Sequence, residues 1–309
     1  MIDETMDHLT ALIHSSNSEA TIEAALKSVA WAGQVLVVDM ASSDRTVEIA
    51  EQFGARVIKI PQQPWGDHLR NEHLAAVESE WSLVLDSDES LDPDAGEVVR
   101  GLIAERGARY DAFAVPRENL IAGQVMRSSG WWPDRQIRLF RSGSVSYSRK
   151  LHRQPEVVGG ESRVCSLDED DGLVIRHDSY PDLASLIERQ VRYAVTDHYD
   201  DDPESFDVGA YTQQAYEALS IRLDVQKDGD LSRALATVMA WDAVVRALVH
   251  WDSLEPRPPL EGFLALPITT TSSPELQERY DELLAAYENV LQSKSWRITA
   301  PLRRLRGNS

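Results

Sequence analysis

The sequence predicts a doubly wound α/β fold with a mostly parallel sheet, and three observations carry that prediction. Continuous runs of Val, Ile and Leu, such as QVLVVD (34–39), RVIKI (56–60) and SLVLD (82–86), recur through the first half of the chain. Strands read as unbroken apolar runs when both faces of a parallel sheet are covered. Between these runs lie amphipathic helical stretches, the alternation that parallel crossovers require. With 309 residues, 42% of them hydrophobic, the chain has enough material to cover such a sheet.

In order, LTALIHS (9–15) reads as the first strand and Ser18 to Val29 as a helix with Ile22, Ala25, Leu26 and Val29 on one face. QVLVVD is the next strand and Asp44 to Phe53 the next helix. RVIKI, a helix from His68 to Val77, and SLVLD continue the pattern. From YDAFAVP (110–116) to about His177 the text turns to short strands broken by Gly and Pro, among them QIRLF, VSYS and GLVIRH. Pro181 to about Glu255 is helical in spacing. The stretch PRPPLEGFLALPITTTSSPE (256–275) breaks regular structure, and Ser273, Pro274 and Glu275 then open a last helix as cap, first position and first-turn acid. Leu276, Tyr280, Leu283, Tyr287 and Val290 form its apolar seam. Three regions follow: 1–180 as the α/β domain, 181–270 as a helical extension, and 271–309 as a C-terminal helix with a basic tail.

A formal charge of −20 disfavours a nucleic-acid partner, because a phosphate backbone is repelled over most of such a surface. Any phosphate must be met locally, by a metal or a few arginines. A single cysteine, Cys165, forms no internal disulfide, which fits a reduced cytoplasm. The N-terminal residues carry no basic region followed by an apolar run, and no stretch reads as the roughly 20 apolar residues of a membrane span. A soluble or peripheral chain is expected.

Two apolar strands end in acid, at Asp39 and at Asp86, and Asp88 follows two residues later. Ligands of open α/β sheets bind beyond the carboxyl ends of the strands, so these three carboxylates are expected on one rim. In an extended segment Asp86 and Asp88 leave on the same face. Carboxylates that close repel unless a cation joins them, and an all-oxygen set favours Mg²⁺ or Mn²⁺. Two plainer readings compete. The acids of WSLVLDSDESLDPD (81–94) also suit a solvated turn before the next helix. An EF-hand spacing is met by Asp86, Asp88, Ser90 and Glu97, but Leu91 stands where the turn needs Gly and a strand leads in.

Several ordered stretches together resemble a known family: LTALIHSSNSEATIEAALKSVAWAGQVLVVDMASSDRTVEIAEQFGARVIKI, LRNEHLAAVESEWSLVLDSDE and SGWWPDRQIRLFR. Over residues 9 to about 195 the chain resembles the family 2 glycosyltransferases of GT-A fold, and within them the branch of lipopolysaccharide-core β-glucosyltransferases. The resemblance implies a nucleotide-sugar donor, with a UDP-sugar favoured, a divalent Mg²⁺ or Mn²⁺, and transfer to an acceptor hydroxyl with inversion. It implies that Asp39 contacts the donor base, with Asp44 holding that loop or capping the helix after it. Asn17 and Glu19 match the family's Asn-Glu signature with Ser18 inserted, and His14-Ser15-Ser16 stands where Pro-Thr-Tyr is usual. Arg70 and Asn71 match an Arg-Asn pair in which Arg70 meets a phosphate or the base. Asp86 and Asp88 match the ribose and metal motif, with Asp88 in direct metal contact and His177 as a third ligand. Asp134 matches the catalytic base, Arg138 approaches the diphosphate, and Trp131 and Trp132 stack on the acceptor sugar.

The ending SKSWRITAPLRRLRG (293–307) is basic with Trp296, Ile298, Leu302 and Leu305 interleaved. Such a segment suits an anionic membrane surface at about 1 kcal/mol per basic residue, or folds back on the acidic body. The expected partners are thus a nucleotide-sugar donor, a glycan or lipid-linked acceptor, and the inner face of the cell membrane through the tail. A rival reading is a catalytically degenerate GT-A fold that binds nucleotide sugars or assembles partners without turnover.

Overall fold

The computed structural model describes residues 6–62, 70–128, 130–147, 154–197, 213, 215–217, 219–220 and 229–254. All of these belong to one compact unit, Met1–Pro258. The expected final helix and the basic tail lie outside the described residues.

The main sheet has seven strands, in the order β12-β6-β9-β4-β1-β2-β3. They are β1 (Met6–Ser15), β2 (Ala32–Met40), β3 (Arg56–Ile60), β4 (Trp81–Asp86), β6 (Ala112–Val115), β9 (Gln136–Arg141) and β12 (Val164–Ser166). β1 pairs in parallel with both β2 and β4, and only β9 runs against its neighbours β4 and β6. Helices α1 (Ile22–Ser28), α2 (Thr46–Gln52), α3 (Arg70–Leu74) and α4 (Ala95–Arg106) supply the crossovers. Successive residues of the central strands feed opposite faces. Ala11, Ile13, Leu83 and Leu85 join one buried cluster, and Leu12 and Val84 join the other. That is why these strands read as unbroken apolar runs. At the start of β2 the chain passes so close to β1 that a Cβ on Gly33 would lie 2.5 Å from Asp7 Cα and 2.6 Å from the Met6 carbonyl oxygen. Backbone does not yield as a side chain does, so Gly33→Ala is expected to lower stability by about 1–3 kcal/mol in urea unfolding.

A smaller sheet, in the order β5-β13-β7-β8, flanks the carboxyl edge. Its strands are β5 (Glu89–Leu91), β7 (Arg117–Ile121), β8 (Gln124–Val125) and β13 (Ile175–Tyr180), and a hairpin of β10 (Val145–Ser146) and β11 (Glu156–Val157) stands apart. One correction follows for the acidic motif. Residues 87 and 88 form a turn between β4 in the main sheet and β5 in the small one, so the segment is not extended. Asp86 and Asp88 accordingly meet different partners, Arg70 and Arg138 for the first and His177 and Arg189 for the second.

Helix α5 (Leu183–Asp197) packs against α6 (Gly229–Ser253). Leu186 of α5 and Leu235 of α6 meet Ile121, Met126 and Tyr180 of the small-sheet region in a third apolar cluster. Contrary to the sequence expectation, Gly229–Asp252 is long and apolar enough to cross a membrane by length and composition. Within it Asp242 and Arg246 pair at 2.8 Å, and Leu235, Ala236 and Ala247 are buried.

Candidate functional site

At the carboxyl ends of β1 and β2 two loops are laced together. Asn17, in the left-handed region at φ 49°, accepts the Ser43 N–H at 2.8 Å, while its own N–H donates to Ser42 Oγ at 2.8 Å. Glu19 accepts the Arg45 N–H at 3.1 Å. Asp44 accepts from the Thr46 N–H at 3.0 Å and the Glu19 N–H at 3.0 Å, so it ties the loop and serves the start of α2 together. Asp39 is buried, and its carboxylate accepts the Ser42 N–H at 3.0 Å and the Ser42 hydroxyl at 2.5 Å. The side chains expected to meet the donor base thus first build the frame at its expected position. Ser18 Oγ lies 2.7 Å from Ser87 Oγ, which joins this frame to the acidic motif.

Asp39 and Asp86 flank β1, being level with Ser15 and His14 respectively. Two strand spacings separate them by about 10 Å. Asp86 is gripped from both sides, by Arg70 Nη2 at 2.6 Å from α3 and by Arg138 Nη2 at 2.7 Å from β9. The same Arg138 nitrogen reaches Glu89 Oε1 at 2.7 Å. Arg117 Nη1 meets that Glu89 oxygen at 2.8 Å, and Arg117 Nη2 and Nε hold Asp134 Oδ2 at 2.6 and 2.9 Å. Three carboxylates and three guanidiniums therefore alternate in one line from α3 to the loop before β9. Burial alone would raise the Asp86 carboxyl, but the charges of Arg138 and Arg70 outweigh it and hold the group well below the ordinary carboxylate range. Beside it His14 is held well below its usual range by burial and by Arg70, and it meets His73 at 3.2 Å. Asn71 clamps the Tyr147 backbone through both its amide atoms at 2.8 Å. Arg70 is thus buried scaffolding rather than half of a helix-surface ion pair, and the exposed Asn71 ties α3 to the chain at Tyr147.

Asp134 lies at the far end of this line. Oδ2 takes Arg117 and Asn119 Nδ2 at 3.1 Å, whereas Oδ1 takes Gln136 Nε2 at 2.7 Å. Burial raises this carboxyl, and Arg117, Asn119 and Gln136 overcome that and leave it lowered. Asn119 Nδ2 also donates to the Trp131 carbonyl at 2.9 Å. Both partners of that nitrogen only accept, so Asn119 Oδ1 must face His177 Nδ1, 2.7 Å away. The other ring nitrogen, Nε2, lies 3.6 Å from Asp88 Oδ1; burial raises the Asp88 carboxyl, and the contact with His177 outweighs it and leaves it lowered. Arg189 of α5 reaches Asp88 Oδ2 at 3.6 Å and lies over the Tyr180 ring at 4.8 Å.

The edge brings Asp86, Asp88, Asp134, Arg70, Arg138 and His177 into one connected set. It does not bring Asp86 together with Asp88 and His177 as metal ligands. Among the described residues no three His, Cys, Asp or Glu side chains gather to hold an ion, because Arg70 and Arg138 occupy the Asp86 oxygens. Asp88 Oδ1 and His177 Nε2, 3.6 Å apart, are the side-chain atoms that would hold a divalent cation here, with its other ligands supplied from outside the described side chains. Of the two tryptophans, Trp131 packs into the third cluster beside Tyr180, and Trp132 lies under the Arg127 guanidinium at 4.0 Å. Both tryptophans are half-buried, and the Trp132 ring packs against Arg127 rather than in the third cluster. Sequence reasoning missed Glu89, Arg117, Asn119 and Arg189. The alternation of Arg117 and Asn119 in RENLI, which sets both on one face of β7, was the available signal.

These acids and arginines line the carboxyl edge of an α/β sheet, the place where open sheets of this kind bind ligands. Residues 10–167 match the model described as Glycosyl transferase family 2, and the chain belongs to that family, whose fold is GT-A. It is 30% identical over 180 residues to an uncharacterized glycosyltransferase of Mycobacterium bovis, covering 57% of this chain and 76% of that protein. To the lipopolysaccharide core biosynthesis glycosyltransferase LpsC of Rhizobium meliloti it is 26% identical, over 52% of this chain and 62% of that one. Among solved structures it is similar to S. aureus TarS 1-349 in complex with UDP-GlcNAc, at 15% identity and a TM-score of 0.45, covering 78% of this chain and 90% of that chain. The chain spans 28% to 39% of the length of three further curated relatives that it matches over shorter stretches.

Proposed function

We propose that this family 2 chain moves a sugar from a nucleotide-sugar donor, a UDP-sugar in the favoured case, to a hydroxyl of a cell-surface glycan or lipid-linked acceptor, with inversion at the anomeric carbon. The observation that carries the reading is the unbroken ion-paired line from Asp86 at the end of β4 to Asp134 in front of β9. It supports Asp134 as the base at one end of the line, with Asp88 beside it between His177 and Arg189 at 3.6 Å each.

Asp134 takes the acceptor hydroxyl proton as the acceptor oxygen bonds to the anomeric carbon, and the bond from that carbon to the diphosphate oxygen breaks with its electron pair on the leaving group. Asp88 and His177 would hold Mg²⁺ or Mn²⁺, which when bound supplies charge to offset that of the departing diphosphate. Asn119 meets His177 Nδ1, which would leave Nε2 as the ligand atom for such an ion. Asn17, Glu19 and Asp39 frame the donor base, and Arg70 and Arg138 keep Asp86 ionised at its ribose. Trp132 stacks on the acceptor. The LpsC likeness supports a surface-glycan acceptor, and a cytoplasmic chain that meets the inner membrane face through its basic tail suits a lipid-linked one.

The test is release of nucleoside diphosphate from a panel of nucleotide sugars with Mn²⁺ or Mg²⁺, beside the rise in melting temperature that a bound ligand gives. Asp88→Asn is expected to cut release by at least tenfold and to remove the part of the thermal shift that depends on Mn²⁺. Release that is unchanged in Asp88→Asn would overturn the assignment. Binding of nucleotide sugar with no turnover in the wild type would favour the degenerate, non-catalytic reading instead.

A further inference from the structure

We propose that Glu89, which no family position above assigns, is a positioning residue that sets how tightly Arg117 holds Asp134. The inference rests on Asp134 being the base of the proposed transfer.

Glu89 follows the acidic motif directly, yet it is 1% exposed and every oxygen it has is used. Oε1 receives both Arg138 Nη2 at 2.7 Å and Arg117 Nη1 at 2.8 Å. Oε2 receives the Asp86 backbone N–H at 3.0 Å, which locks the turn that separates Asp86 from Asp88. A buried carboxylate is costly unless fully paired, so this degree of satisfaction marks a built feature rather than a stray acid. Its consequence lies in the sharing. Arg117 has one charge and two carboxylates to serve, buried Glu89 from β5 and half-buried Asp134 from the loop before β9. Arg138 is likewise divided between Glu89 and Asp86. Glu89 is the only side chain in these contacts that touches both guanidiniums, so it divides the positive charge between the donor end and the acceptor end.

The groups that face Asp134 are Arg117 and Asn119 of β7 and Gln136 of β9. With three hydrogens on Oδ2 and one on Oδ1, Oδ1 is the oxygen with lone-pair capacity to spare for an acceptor proton. Without the Glu89 charge, Arg117 answers to Asp134 alone. Its pull on that carboxylate grows, and the base weakens.

In the full chain, Glu89→Gln keeps the shape and removes the charge. The acid limb of the transfer rate is expected to move to lower pH, and the plateau rate to fall at least tenfold. The double variant Glu89→Gln, Arg117→Gln removes one charge of each sign, and its acid limb is expected above that of the wild type. It also keeps the idea open to refutation if the single variant does not fold. A limb that stays in place, or that moves the same way in both variants, overturns the proposal, since a purely structural loss lowers the rate without moving the limb. Carbon-13 carboxyl NMR of Asp134 separates the two layers of argument. A midpoint that falls in Glu89→Gln while Asp134→Asn still transfers sugar would discard the base and keep the action of Glu89. A fixed midpoint with an inactive Asp134→Asn would discard Glu89 alone.

Discussion

Asp134→Asn is expected to leave nucleotide-sugar binding within about twofold of the wild type and to lower transfer by about 10²–10⁴-fold, the usual contribution of a positioned base. The amide fills the same space and still accepts from Arg117 and Asn119 through one oxygen, but it takes no proton. The pH profile of the wild type carries a second expectation. Burial pushes the Asp134 carboxyl up, but the Arg117 charge and the Asn119 and Gln136 hydrogen bonds leave it below the ordinary carboxylate value. A base is active when deprotonated, so a lowered carboxyl stays active further into acid. With Mn²⁺ kept saturating at each pH, transfer should hold down to below about pH 4 before the acid limb of Asp134 begins, provided the protein remains folded. Initial rates of donor turnover from pH 3 to 8, with binding followed separately by calorimetry, check both statements. An acid limb near neutrality that stays in place as Mn²⁺ is raised would place the base elsewhere, whereas one that moves with Mn²⁺ reports the metal ligands.

Arg138→Leu is expected to give the largest loss of stability, about 3–5 kcal/mol, because it breaks a buried pair and leaves its partners charged. Arg138 is 6% exposed and its Nη2 serves Asp86 and Glu89 together. Arg70 and Arg117 remain in place, so neither carboxylate is wholly abandoned, which keeps the loss within that range. The change should also alter how stability depends on pH. Asp86 is lowered in the fold, against its own burial, by Arg138 and Arg70. Its contribution is therefore present above the unfolded value near 4 and is lost as pH falls through the folded value. Removing Arg138 lessens that lowering, so the variant should lose less further stability between about pH 4 and pH 2 than the wild type. Urea unfolding at a series of pH values measures both the offset and the slope.

Much of this edge could be read before any coordinates. The apolar runs that became β1 to β4, the acids at Asp39 and Asp86, and the Asp134 motif all stand in the sequence, because strand burial and strand ends leave local marks. The expectation that Asp86 and Asp88 share a face failed because a turn at 87 and 88 carries the chain from one sheet to another, and a two-residue turn leaves little signature. In the sequence Glu89 is one acid of a stretch that also suits a solvated turn. Nothing within ten residues of it shows that two arginines, 28 and 49 residues onward, arrive to bury its charge.

The sequence by itself determined the alternation of strand and helix, and it set acids where strands end. Only the tertiary structure decided which charges answer one another. Strand β9 enters between β4 and β6 against the direction of its neighbours and carries Arg138 to Asp86, 52 residues away. The physical reason is that apolar burial is local and periodic, so it is written along the chain. Neutralising a buried charge instead depends on which strands become neighbours, and that is fixed only when the whole sheet closes.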